Sequence, residues 1–241
     1  MAVSARSASL EVLKAWRLRG TWPDQFVKKE LPALGLSPKD KGLSVQLLYG
    51  TIQNLQRIDF YIGCYSSVKL RKIMPQVLDC LRLGVYQLVF LQKIPVSAAV
   101  NESVNLAKKA GGARAGGFAN AILRKVASQR ENLPEVTGED APSRMAVYYS
   151  HPLWFVRRMV ALLGEEETRE LLEADNMPPP VTARVNRLRL TGEELIARLA
   201  EEGVTARLHP WLPDCIVFET GGDLTSTRCF AEGLFTIQDA A

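Results

Sequence analysis

The sequence predicts a two-part chain, an all-α domain followed by a smaller α+β domain, and three observations carry that prediction. Over the first 130 residues apolar side chains recur at three- and four-residue intervals and no stretch alternates with period two for long, the pattern of helices that bury one face. Beyond the three prolines at 178–180 the pattern changes to strand, helix, strand, strand. Between the two, ENLPEVTGEDAP over residues 131–142 combines prolines, a glycine and acids without apolar periodicity, the composition of a linker. With 241 residues, 47% of them hydrophobic and 23% charged, the chain can bury a sizeable core in each part.

About six helices are expected in the first part. Val3, Leu10, Leu13 and Trp16 make the first apolar stripe, ended by the break from Gly20 to Pro23, and a short helix through Phe26 and Leu31 follows. Ser37, Pro38 and Asp40 then supply an N-cap hydroxyl, a proline at the first helical position and an acid in the first turn. A long helix should run from there, with Leu43, Leu47, Gly50, Ile58 and Tyr61 near one face and Gly50 permitting a neighbouring helix to approach closely. The next, starting near Pro75, carries Val77, Leu78, Leu81, Val85, Leu88 and Val89, an apolar surface broad enough to be central. Ile94-Pro95 breaks it. Ala98, Val100, Val104, Leu106 and Ala107 form a helix that should end at Gly111-Gly112, and Phe118, Ile122, Leu123 and Val126 form the last. The glycine-rich run 111–117 is read as a helix-to-helix turn rather than a phosphate cradle, because it follows no strand and lacks the Lys-Ser/Thr ending of a P-loop.

After the linker two helices are expected, through Met145 to Tyr149 and through Trp154 to Leu172. Strands at 181–186, 204–208 and 215–219 follow, with a further one at 234–238, and a helix opened by the Thr191-x-x-Glu194 capping box lies between the first two. No glycine-rich strand-to-helix turn accompanies them, so a doubly wound nucleotide-binding domain is not expected.

Candidate chemistry is thin. Cys64, Cys80, Cys215 and Cys229 stand far apart with no CxxC pair, and neither histidine is spaced to complete a zinc site, so no metal is expected. His151 and His209 each precede a proline, where capping, packing or a loop position is the simpler reading. Acids such as Glu165 to Glu167 read as a solvated helix face. With no run of ~18 apolar residues and no signal-peptide core at the N-terminus, a membrane role is not expected and the cytoplasm is the expected location.

Charge is the stronger signal. Before the Leu133-Pro134 junction there are 20 basic and 8 acidic residues, net +12; behind it there are 10 and 18, net −8, and no lysine follows Lys125. Such asymmetry suits a polyanion-binding module joined to a different domain, because Lys and Arg neutralise phosphates and release counterions. The wider candidates include Lys69, Arg71, Lys72 and Arg130; the predicted nucleic-acid-binding set is Arg6, Lys39, Lys41, Arg57, Lys108, Lys109, Arg114, Arg124 and Lys125.

Leu36-Ser-Pro-Lys-Asp40-Lys-Gly, Leu48-Tyr-Gly-Thr51, Leu81-Arg-Leu-Gly-Val-Tyr-Gln-Leu88, Ile94-Pro95 through Ala99-Val-Asn-Glu102, and Phe118-Ala-Asn-Ala-Ile-Leu-Arg124 occur in the order and spacing of a NusB-like RNA-binding domain, which the first part resembles. Tyr149-Ser-His-Pro-Leu-Trp154, the prolines 178–180 and Ala183-Arg-Val-Asn186 resemble the linker domain of bacterial 16S rRNA cytosine-C5 methyltransferases. The resemblance implies a NusB-like all-α domain over 1–132 and, over 142–241, a helical linker plus a small RRM-like α+β domain leading into a methyltransferase domain. That domain's S-adenosylmethionine site and its Pro-Cys and Thr-Cys motifs would lie beyond Ala241, so no catalytic residue and no cofactor are assigned to these 241 residues, and S-adenosylmethionine is implied only for a full-length parent. The implied partner is 16S rRNA. One departure is Lys41, where many members of that family carry arginine, which keeps the charge and loses the bidentate fork. The alternative expectation is a NusB-like antitermination or ribosome-assembly factor that binds RNA without chemistry; the appended α+β unit argues against it.

Overall fold

A computed structural model describes residues 3–20, 23–219 and 222–240, with the side chain of Phe26 outside the description. The chain divides into two compact units between Asn176 and Met177.

The first unit is helical. Helix α1 (Ala5–Arg19) begins at a Ser4 capping box closed by Ser7, so Val3 lies outside the helix and is exposed, not part of its stripe. Helix α2 spans Pro23–Lys29. The expected long helix is two: α3 (Pro38–Gln53), with Ser37 and Pro38 at its start as expected, and α4 (Leu55–Tyr65). They part at Asn54, whose backbone and side-chain nitrogens both bond the Gly50 carbonyl, at 3.1 and 2.9 Å, closing one helix where the period alone carries on. Asn54 makes no side-chain cap for α4. Instead Ser150 Oγ accepts from the Arg57 backbone N–H at 3.2 Å, supplying from another helix the partner that a helix start lacks.

Helix α5 (Pro75–Phe90) is the centre of this unit, buried on nearly every side from Val77 to Leu88, as its broad apolar surface requires. Leu47 and Leu48 of α3, Ile58 and Ile62 of α4, and Ile122 and Leu123 of the following helix share its core. Two polar side chains are buried on α5. Asp79 takes Arg17 Nε at 3.0 Å and Arg82 Nη1 at 3.2 Å, while Arg82 forks onto Asp59 at 2.8 and 2.7 Å. Gln87 accepts from Arg6 Nε at 2.7 Å and donates to the Leu83 carbonyl at 2.9 Å. Both groups are satisfied, which keeps their burial from being costly.

Helix α6 (Val96–Ser128) contains a reversal at Gly111 and Gly112, as the glycine run predicts. Gly112 sits at φ 77°, open to glycine and strained for other residues, and the turn is tight enough that a Cβ on Gly116 would stand 3.0 Å from Lys108 Cβ. Three further helices, not two, complete the unit: α7 (Ala141–Tyr149), α8 (Leu153–Leu163) and α9 (Glu165–Asp175). The expected helix through Trp154 to Leu172 breaks at Gly164, φ 85°, whose carbonyl then accepts from Thr168 Oγ1 at 2.6 Å. Met145, Ala146, Val156 and Leu172 form a small core between these helices, and Gln56 Nε2 to the His151 carbonyl at 2.9 Å ties them to α4.

The second unit has the order β1 (Thr182–Val185), α10 (Gly192–Glu201), β2 (Ala206–Leu208), β3 (Cys215–Phe218), α11 (Arg228–Ala231), β4 (Phe235–Ile237). Its antiparallel sheet runs β2-β3-β1-β4, with Ala183 opposite Ile216 and Val185 opposite Phe235. This is the β-α-β-β-α-β arrangement of ferredoxin-like and RRM-like domains. Alternation puts Ala183, Val185, Ile216, Phe218 and Phe235 into one core with Leu195 and Leu199 of α10, whose start is the Thr191/Glu194 capping box the sequence predicts.

Candidate nucleic-acid interface

The nine predicted cations fall into separate places. Lys108 and Lys109 are exposed on the first arm of α6 and line a groove with Ser4 and Ser7 of α1, and Lys109 also lines an adjoining one with Ser7, Leu10 and Lys14. Arg6 rises from the same turn of α1, but its Nε is committed to the buried Gln87 amide. Glu102 lines the groove too, and Glu11 reaches Lys14 at 3.5 Å, both on the exposed side. Exposed pairs of that kind are weak enough for a phosphate to displace. Lys14, outside the predicted set, lies one turn from Leu10 on the same face of α1.

Lys39 and Lys41 flank Asp40 in the first turn of α3, Lys39 exposed and Lys41 half-buried. Arg114 is exposed just after the α6 reversal; Arg124, whose Nε donates to Asn120 Oδ1 at 3.1 Å, and Lys125 are exposed near the other end of that arm. None of these five lines the grooves that Lys108 and Lys109 line.

Arg57 is elsewhere again. Its guanidinium lies 3.9 Å from the Tyr148 ring centroid, with Tyr61 and Phe90 at 5.7 and 5.5 Å, and its Nε donates to Tyr61 Oη at 2.9 Å. Such enclosure fixes the plane of the side chain. It stands at one wall of a cleft of about 640 Å³ shared with the 130–136 segment, α7 and α9, to which Arg130, Arg144 and Arg169 also contribute.

Nucleophilic chemistry finds little purchase here. Burial pushes the Cys80 thiol up to about 12, with the neighbouring Asp79 adding to it, and burial together with Glu202 pushes Cys229 up to about 11. Burial also raises Cys64. Raised thiols hold their protons, the reverse of an activated nucleophile. The four strands pair only antiparallel, so among the described residues no parallel strand feeds a glycine turn of the kind that cradles a nucleotide-like cofactor. No group of three or more metal-ligating side chains and no helix long and apolar enough to cross a membrane occurs among the described residues.

Comparison with known proteins agrees with both units. Residues 3–128 match the NusB family model, and residues 151–225 match the model of the Methyltr_RsmF/B-like, ferredoxin-like domain. The chain is 32% identical over 237 residues to the probable ribosomal RNA small subunit methyltransferase B of Bacillus subtilis, covering 98% of this chain and 52% of that protein. It is 32% identical over 209 residues to ribosomal RNA small subunit methyltransferase B of Vibrio cholerae, covering 86% and 46%. It thus spans about half the length of the curated relatives it matches, their N-terminal part. In fold, the crystal structure of PH0851 matches all of this chain and 54% of its own, with a TM-score of 0.65 at 20% identity. With its model matched over more than half of the residues, the chain belongs to the NusB family, and it carries behind that domain the ferredoxin-like domain of the RsmF/B type.

Proposed function

We infer that these 241 residues are the RNA-binding N-terminal region of an S-adenosylmethionine-dependent 16S rRNA cytosine-C5 methyltransferase. The relationship to ribosomal RNA small subunit methyltransferase B along 98% of the chain carries this reading, because it takes in both units in order. The net +12 of residues 1–133 supports it, as does the lysine groove between α1 and α6. Arg6, Lys39, Lys41, Arg57, Lys108, Lys109, Arg114, Arg124 and Lys125 remain the proposed contacts, with Lys108 and Lys109 foremost. The division of labour proposed is phosphate and shape recognition by residues 1–132, and a helical and α+β connection over 142–241.

The chemistry assigned to the full-length protein, thiolate attack on a cytosine and transfer of a methyl group from the sulfonium donor, needs an unpaired base delivered to it. Folded rRNA pairs and stacks its bases, so a separate surface reading phosphates and shape selects the place where chemistry occurs. None of that chemistry is routed through the residues described.

The test is equilibrium binding of the chain to fragments of 16S rRNA against unrelated RNA of equal length, with methyl transfer followed in parallel. Preferential binding without methyl transfer is expected. Equal affinity for unrelated RNA overturns the ribosomal assignment, and methyl transfer by the chain alone overturns the assignment of catalysis to another region.

A further inference from the structure

We propose that the cleft between α4, the 130–136 segment, α7 and α9 is a second RNA site, one that holds a short unpaired stretch by stacking a base beside Tyr148 and clamping its phosphates with Arg57 and Arg144. The proposal rests on the RNA-binding reading and adds to it a place and a strand type that the basic residues of α1 and α6 do not supply.

Four observations carry it. Tyr148 keeps 43% of its surface exposed although Arg57 covers its ring, so an aromatic surface is held open at the cleft. Arg57 is held in place by three rings and by Tyr61 Oη, and among the described residues its terminal nitrogens have no hydrogen-bond partner, leaving a fixed fork for a phosphate with little further ordering to lose. Arg144 is exposed on the cleft and joins no ion pair among the described residues. Arg130 and Arg169 each have one glutamate, Glu131 at 3.8 Å and Glu166 at 2.9 Å, on the solvent side, where pairs contribute little and exchange readily.

An aromatic surface beside a row of guanidinium groups is the pairing by which unpaired strands are held, each base offering a π-face and each link a phosphate. A cleft of about 640 Å³ has room for roughly one or two nucleotides. Glu131, Glu135 and Glu165 also line it. They oppose a second phosphate rail, so the cleft favours a single strand over a duplex.

The experiment uses the whole chain and fluorescence anisotropy with a short unstructured oligoribonucleotide, and with the same strand annealed to its complement. Arg144→Glu lies in the first turns of α7, where an acid suits the helix start, so the change spares the fold. It is expected to weaken single-strand binding about tenfold at low salt and to reduce the slope of log K on log[salt] by about 0.7 to 1.4, while leaving the duplex nearly unaffected. Tyr148→Leu is expected to weaken single-strand binding about fivefold at every salt concentration, since stacking carries no counterion release. If the wild-type chain binds the oligoribonucleotide and both variants bind it equally well, the cleft is not a site, and loss on Lys108→Glu in the same assay leaves the general reading intact. Equal loss for the duplex overturns the single-strand assignment. A wild-type chain that binds neither RNA overturns this proposal and the reading it rests on.

Discussion

Adding one methyl group at Gly50 tests how closely α3 and α5 are packed. A Cβ built there overlaps Oη and Cζ of Tyr86, so Gly50→Ala forces the Tyr86 ring from its place, 7% exposed and stacked on Phe90 at 5.5 Å. Exposing on the order of 100 Å² of that ring costs about 2.5 kcal/mol, and loss of the stacked pair costs about 1 kcal/mol more. Against this, Ala is the better helix former by about 1 kcal/mol. The net expectation is a loss of about 2 to 3 kcal/mol, which for a chain of this size lowers the melting temperature of the helical unit by roughly 4 to 10 °C in calorimetry. In a Tyr86→Ala background the site is already empty, so Gly50→Ala should there be neutral or stabilising by up to about 1 kcal/mol. A single variant as stable as wild type, or an equal loss in both backgrounds, would refute the packing argument.

Other perturbations probe the remaining parts. Asp79→Ala leaves Arg17 without its carboxylate and Arg82 held by Asp59 alone, and should cost about 2 to 3 kcal/mol in urea unfolding of the first unit; a loss under about 1 kcal/mol would mean the network is not holding α1 to α5. Thr191→Ala removes the cap accepting from Glu194 N–H at 3.2 Å and should cost about 1 kcal/mol in the second unit alone, seen as a shift of its transition and not of the first. Cys80 is pushed up to about 12 chiefly by burial, so above pH 9 the unfolded chain gives up a proton that the folded chain keeps. The stability this group contributes is therefore complete below pH 9 and is lost as the pH rises from 9 toward 12, at up to about 1.4 kcal/mol per pH unit. Cys80→Ala should show a shallower alkaline decline, and identical declines would contradict the assignment.

Much of this arrangement was legible in the sequence because local signals and burial agree. Ser37-Pro38, the Gly111-Gly112 reversal, the Thr191/Glu194 box and the close approach at Gly50 each follow from one residue's stereochemistry, and the structure places all four as expected. The misses arise where the apolar period runs across a break. Asn54 ends α3 through bonds to Gly50, and Gly164 divides α8 from α9 through a positive φ; neither interrupts the three-and-four spacing around it. The proposed site was legible by charge but not by place. Counting cations named Arg6, Lys108 and Lys109 but could not foresee that Arg6 Nε bonds Gln87, or that Arg57 faces Tyr148 from a helix more than eighty residues away. Arg144 and Arg169 were passed over because they lie in the acidic half of the sequence, where net charge hides a local arginine cluster.

The salt dependence of RNA affinity tests the central claim most directly. If the basic first part binds RNA through its phosphates, log K for a 16S rRNA fragment must fall linearly with log[salt], and Lys108→Glu with Lys109→Glu must flatten the slope by about 1.4 to 2.8 while lowering affinity across sequences. An affinity independent of salt, or a slope unchanged by the double reversal, would contradict the account.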